Sequence, residues 1–311
     1  MKKRKEPNKE RITLQEFRES VLQYTNINLD VVHVIMDYLK LPIEEKIHKK
    51  KEIQSLFDYP RFVSWNNDLL YVMDGRAKNK LHIMTTKDNF IHWEEDLILI
   101  CDWIQDMTKT NNNRIVIRDR YACYLLNLFS FDYCRIYSKD AVAVEINEHG
   151  QGIVINDRNE IQEWDFDAAS KKSFQLKIPM NEDSKHFVNK EPNIKSMTII
   201  IVNKKMHYAL LDVKYRRILV MDTNWKYEYE FSYQDLQQHF FHIYFYGQEI
   251  ILHYDLEQAK QEFAIFSVEG MYLRSFTFTF TSEFMVHSFS FSDTGIACSY
   301  PNQNNVVLFQ S

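Results

Sequence analysis

His242 and His287 stand at matching places in two successive aromatic segments, FHIYFYG and HSFSFSD, and Asp132 opens a third, DYCRIYS. Imidazoles and a carboxylate brought into one cavity can hold a metal ion or pass a proton, because both offer lone pairs near neutral pH. A channel site built on Asp132, His242 and His287 is one chemistry this chain can offer. HWEED (92–96) also sets acids beside a His, but strand alternation sends His92 and Glu94 to one face and Trp93 and Glu95 to the other. That pattern reads as a surface strand. No GxSxG, HExxH, GxxxxGKS/T or GxGxxG occurs, so no nucleophile elbow, zincin helix or nucleotide loop is expected. HGQG (149–152) reads as a hairpin turn, since a phosphate loop needs a strand before it and a helix after it. The sequence assigns no catalytic residue, no metal ligand and no cofactor.

Asp119, Asp157 and Asp222 follow similar apolar runs, RIVIRD, GIVIND and RILVMD. Repetition at matching places predicts three turn residues and argues against a catalyst. The elements that would position all these groups repeat as well. From Arg61 onward the hydrophobic period falls from about 3.6 to about 2, or to short unbroken apolar runs. Segments of one plan recur: KLHIMTTKDNFIHWEE, RIVIRDRYACYLLNL, GIVINDRNEIQEWDF, RILVMDTNWKYEYEF, EFAIFSVEGMYLRSF and NNVVLFQ. Their first apolar residues, Leu81, Ile115, Ile153, Ile218, Phe263 and Val306, step by about 40 residues, with one longer step from Ile153 to Ile218. Each is preceded by two more apolar segments, as SMTIIIVN and HYALLDV precede RILVMD.

A step of that size fits a four-stranded blade, and six such steps fill residues 59–311. The expected fold is mainly β: a six-bladed β-propeller with a short N-terminal α-helical segment. A blade is sandwiched between neighbours, which explains strands apolar on both faces. The longer step places a polar insertion at about 167–193, or else a concealed extra strand. The last blade ends three strands in, at Ser311. Its outer strand is expected from the segment before the first blade, around Ile53–Phe57.

The chain has 311 residues, 45% hydrophobic and 26% charged, which is ample for a buried core. Its net charge of −5 gathers in the body, while the first 58 residues lean basic; nucleic acid is therefore not an expected partner. Four cysteines without a CxxC, no apolar leader and no long apolar run predict an intracellular protein, cytoplasmic or nuclear, with no membrane span.

Residues 1–11 read as a disordered basic tail and 12–58 as a helical segment. Thr13 and Glu16 form a capping box before Leu14, Phe17, Val21 and Tyr24. A second helix follows Asn28, and a third, from Pro42 to about residue 56, would carry Lys49, Lys50 and Lys51 at its negative end.

The body resembles the β-propeller superfamily, NHL-like and WD40-like proteins, in architecture; neither family's repeat signature recurs. INLDVVHVIMDYLKLP (27–42) resembles the core helix of an F-box, although Leu41-Pro42 follows the helix where an F-box has Leu-Pro before it. That resemblance implies that Leu29, Val32, Ile35 and Leu39 dock a Skp1-type adaptor of a ubiquitin ligase. The combined expectation is a non-enzymatic protein-interaction module, with protein partners at the rim and at the helical head. The alternatives are a propeller enzyme with a channel site and a structural subunit of a large assembly.

Overall fold

The computed structural model describes residues 49–54, 56–66, 69–75, 80–86, 91–96, 104–108, 113–128, 130, 132–136, 140–165, 170–178, 191–236, 240–257, 260–279, 288–292, 295–300 and 304–310. They form six four-stranded antiparallel sheets. Strand β1 (Lys49–Gln54) is set apart from the blade that follows it. Blade 1 holds β2 (Pro60–Asn66), β3 (Leu69–Asp74), β4 (Lys80–Thr85) and β5 (Ile91–Asp96). Blade 2 holds β6 (Asp106–Met107), β7 (Arg114–Arg118), β8 (Cys123–Asn127) and β9 (Tyr133–Ile136). Blade 3 holds β10 (Ala141–Ile146), β11 (Gly152–Asn156), β12 (Glu160–Asp165) and β13 (Ser170–Gln175). Blade 4 holds β14 (Ile194–Val202), β15 (Lys205–Asp212), β16 (Arg217–Met221) and β17 (Tyr227–Ser232). Blade 5 holds β18 (His242–Tyr246), β19 (Glu249–Glu257), β20 (Lys260–Ser267) and β21 (Tyr272–Thr279). Blade 6 holds β22 (Ser288–Ser292), β23 (Gly295–Tyr300) and β24 (Asn305–Gln310).

The first strands of the blades meet around a central axis: β2 touches β6 and β22, β14 touches β10 and β18, and β18 touches β22. The ring closes as a six-bladed β-propeller. β1 supplies the missing outer strand of blade 6, pairing antiparallel with β24 from Lys49 opposite Gln310 to Gln54 opposite Asn305. The donor therefore lies slightly N-terminal to the expected Ile53–Phe57. Lys49, Lys50 and Lys51, expected at a helix C-terminus, are strand residues, because the free edge of β24 offers them a ladder. The remaining expectations for the head, the tail, the first two helices and Leu29, Val32, Ile35 and Leu39, lie outside the described residues.

The core is a set of six apolar layers, one between each pair of neighbouring blades. Each inner strand feeds two of them. In β16, Leu219 and Met221 pack towards blade 3, while Ile218 and Val220 pack towards blade 5. In β7, Ile115 and Ile117 face blade 1 and Val116 faces blade 3. This is why the runs RILVM and RIVIR are apolar at every central position. Burying an aliphatic side chain on either face stabilises by about 1.5–3 kcal/mol.

Polar side chains join the blades where apolar ones do not. β22 alternates Ser and Phe: Phe289 and Phe291 pack against blade 5, and the serines face blade 1. Ser290 Oγ accepts the Trp65 N–H at 2.8 Å and Ser288 Oγ accepts the Val63 N–H at 3.4 Å. Ser299 Oγ donates to the Arg61 carbonyl at 2.8 Å. Ser196 on β14 accepts the Ile243 N–H of blade 5 at 3.3 Å. A first strand has a ladder partner on one side only, and these hydroxyls serve its other side.

The hairpins reuse one turn. Asn147, Asn156 and Asp222 each accept, through Oδ1, the N–H groups two and four residues on, at 2.8–3.0 Å. The residue three positions on has positive φ: Gly150 at 74°, Asn159 at 58° and Trp225 at 62°. Gly and Asn tolerate that region, but a bulky Trp does not adopt it readily. Trp225 is held there by stacking on Tyr208, at 4.1 Å between centroids, and by donating Nε1–H to Glu163 of blade 3 at 2.8 Å. Gly270, at φ 90°, lies against Phe231 of blade 4 so closely that an added Cβ would stand 2.4 Å from the ring.

Blades 1, 4, 5 and 6 use the segments the repeat predicts. Blades 2 and 3 are shifted by one strand. DYCRIYS, expected as the first strand of blade 3, instead supplies the outer strand β9 of blade 2. The outer strand of blade 3, β13, comes from the long step, so the concealed strand is real. Asp222 consequently closes a third strand, whereas Asp119 follows a second strand, so the three Asp positions are not equivalent. All three lie at hairpin turns: Asp119 Oδ1 accepts the Tyr121 and Ala122 N–H groups at 2.6 and 2.7 Å, and Asp157 donates its N–H to Asp140 at 2.9 Å.

Candidate functional surfaces

The first-strand segments bring two or three residues each to the axis, and there they enclose a cavity of about 90 Å³. Its polar lining includes Asp106, Thr108, Glu145, Ser196, His242 and Ser288. Among the sequence candidates His242 is here and His287 lies outside the described residues. Asp132 is not at the axis; it precedes β9 at the perimeter and is exposed. Its expected place depended on DYCRIYS being an inner strand. The same shift hid Asp106 and Glu145, which stand in segments read as second strands. The signal that would have found them is the hairpin Asp119 closing a second strand, which makes the preceding DM an inner strand.

His242 keeps solvent contact within the cavity, yet the surrounding walls strip it of bulk water. That burial lowers its pKa; Asp106 opposes the shift and Arg118 adds to it. Arg118 itself reaches Asp106 at 3.7 Å and donates to the Ala141 carbonyl at 2.7 Å, tying blade 2 to blade 3. Glu145 accepts the Ile146 N–H at 2.9 Å. Among the described residues no group of three or more His, Cys, Asp or Glu is placed to hold a metal ion.

His242 begins a row of stacked rings that crosses blade 5 from axis to perimeter. The pairs His242–His253, His253–Phe263 and Phe263–Phe276 are opposite one another in successive ladders, with centroids 5.8, 4.9 and 5.0 Å apart and interplanar angles of 22°, 14° and 14°. His253 is buried and its Nε2 lies 2.5 Å from Gln261 Oε1. Because that oxygen can only accept, Nε2 carries the proton and Nδ1 is left without a hydrogen-bond partner. Burial, with His242 alongside, drives the His253 pKa down to about 3, against the Gln261 hydrogen bond that raises it. His253 is thus uncharged across the ordinary pH range.

Exposed large apolar residues lie on both rims. Leu56, Tyr121 and Phe241 lie on the rim that carries the connections between blades. Leu69, Tyr133, Ile201 and Met271 lie near hairpins of the opposite rim. Arg120 sits over the ring of Tyr121 at 5.7 Å; the exposed Tyr133 meets the buried Tyr124 edge-on at 6.1 Å, and Arg135 lies over the Tyr124 ring. No helix among the described residues is long and apolar enough to cross a membrane.

No protein-family model and no curated protein sequence matches the chain. Solved structures do match its fold. The β-propeller domain of Cps50 (Swd1) from Myceliophteria thermophila aligns with a TM-score of 0.56 at 9% identity, over 85% of this chain and 100% of that one. A chain of the mitotic checkpoint complex aligns with a TM-score of 0.49 at 10% identity, over 80% of this chain and 76% of that one. At such identities the likeness is one of fold.

Proposed function

We propose that this propeller is a non-enzymatic protein-interaction module, with its rims as the partner surface and the N-terminal segment recruiting or anchoring a second partner. The observation that carries the reading is the set of exposed Tyr, Phe and Met side chains on the rims, one of them, Tyr121, set beside Arg120. Protein interfaces are enriched in these residue types, and Tyr and Arg anchors supply most of their binding energy. Affinity capture with the full chain, with Tyr121→Glu/Phe241→Glu, and with residues 1–42 deleted, which leaves β1 in place to close blade 6, tests it. Two separable partner sets are expected, one lost with the rim variant and one with the deletion. A partner list unchanged by either variant rejects the module.

The finer reading is an F-box-like substrate receptor. It rests on the helical spacing of Leu29, Val32, Ile35 and Leu39, whose stripe would dock a Skp1-type adaptor. Ile35→Glu or Leu39→Glu should then abolish capture of a purified adaptor, and unchanged capture, or none by the wild type, sinks it. A second reading, a channel enzyme, is favoured by His242, whose pKa burial lowers, lining the same cavity as Asp106. His242→Ala should then remove turnover on an ester and lactone panel and leave the melting temperature unchanged; no turnover by the wild type counts against it.

A further inference from the structure

A propeller ends each blade in an edge strand, and exposed edges invite pairing with another chain. Five of the six outer strands are short or charged. β1 reads KKKEIQ, β5 IHWEED, β13 SKKSFQ and β17 YEYEFS, and β9 has only four residues. The outer strand of blade 5, β21, is different: YLRSFTFT has eight residues and one charge. That charge is not free to guard the edge. Arg274 reaches across its own blade to Glu249 of β19, closing a bidentate pair at 2.8 and 3.0 Å. The edge also opens on apolar side chains, with Met271, Tyr272 and Leu273 exposed by 63%, 49% and 42%. Among the described residues nothing pairs with its outer side.

We propose that β21 is a homodimer seam, at which two copies of this chain pair their blade 5 edges antiparallel about a two-fold axis. The occupant follows from the strand's own sequence. An axis through Ser275 sets Leu273 opposite Thr277 and Arg274 opposite Phe276, on matching faces of a continuous eight-stranded sheet. Apolar or aromatic residues thereby meet partners that suit them, and no like charges stand opposite each other. A self-pairing of β5 would instead gather six carboxylates, and one of β13 four ammonium groups, along a single seam. An interface of this type is isologous and closes at two copies.

The test is native mass by light scattering on the full chain, across a hundredfold range of concentration. The wild type is expected to approach twice its 37.5 kDa. Ser275 is exposed, so Ser275→Lys should keep the fold by circular dichroism, yet it places two ammonium groups at the axis and should return the mass to 37.5 kDa. Ser275→Glu should do the same alone, and an equimolar mixture of the two variants should recover the dimer. A wild type that stays at 37.5 kDa throughout, including one whose β21 instead takes up a strand from another protein, overturns the proposal. So does a dimer that Ser275→Lys leaves intact.

Discussion

The closure between blade 6 and blade 1 joins segments 225 residues apart, and at its centre Ser290 Oγ accepts the Trp65 N–H at 2.8 Å. Both residues are almost wholly buried, at 2% and 1% exposure. Ser290→Ala removes the acceptor and leaves a space that the aliphatic neighbours fill without a lone pair. A buried N–H that loses its partner costs about 1–3 kcal/mol, and the deleted oxygen itself contributes little more. For a domain of this size that corresponds to a drop in Tm of about 2–4 °C per kcal/mol. Ser196→Ala is the internal comparison. Its oxygen accepts the Ile243 N–H at a longer 3.3 Å, so it should cost less. Urea titrations followed by far-ultraviolet circular dichroism give the midpoints, and calorimetry gives Tm. A Ser290→Ala midpoint equal to wild type, or a cost below that of Ser196→Ala, would refute the claim that hydroxyls serve the open side of the first strands.

Three further outcomes follow from the same geometry. Gly270→Ala combines a 2.4 Å approach to Phe231 with a left-handed backbone and should destabilise by about 2–4 kcal/mol in a urea titration, where an unchanged midpoint would count against the blade 4 to blade 5 contact. His253 is buried neutral, with a folded pKa of about 3 against about 6.5 unfolded, so the unfolded chain binds the extra proton and stability falls as pH drops through that window. His253→Phe, which continues the row of rings, should flatten the stability profile between pH 6.5 and 3 relative to wild type; parallel profiles would dismiss the assignment. Asp222→Ala removes two turn hydrogen bonds at 2.9 and 2.8 Å and should cost about 1 kcal/mol, with no change in partner capture, as measured by denaturation and pull-down.

Asp74 carries the same logic at the entry to blade 1. Burial works to raise its carboxyl pKa, but the hydrogen bond from His82 and those from the Asp58 and Tyr59 N–H groups outweigh burial and hold it below the usual range. Its contribution is therefore present near neutrality and fades as pH falls through the carboxylate range. LLYVMD and HYALLD end in aspartates that share this role: Asp212 likewise accepts the Asn193 N–H at 3.0 Å ahead of blade 4, and it also accepts from Arg217 Nε at 2.9 Å.

Residue pattern by itself determined most of the strands, the repeat, the number of blades and the need for an N-terminal donor to close the ring, although it set Lys49–Lys51 of β1 in a helix and left β13 between a polar insertion and a concealed strand. Each follows from local chemistry: a strand buried on both faces must be apolar throughout, and RILVM and RIVIR are. What the pattern left undecided was rank within a blade. DYCRIYS suits an inner or an outer strand equally, and the true inner strand of blade 2 is the two-residue β6, too short to show a period. Tertiary structure settled it, because a strand is innermost through its neighbours in the ring and through nothing in its own composition. The same neighbours moved Asp132 to the perimeter, brought Asp106 and Glu145 to the axis beside His242, and turned the serines of β22 into acceptors for another blade's backbone.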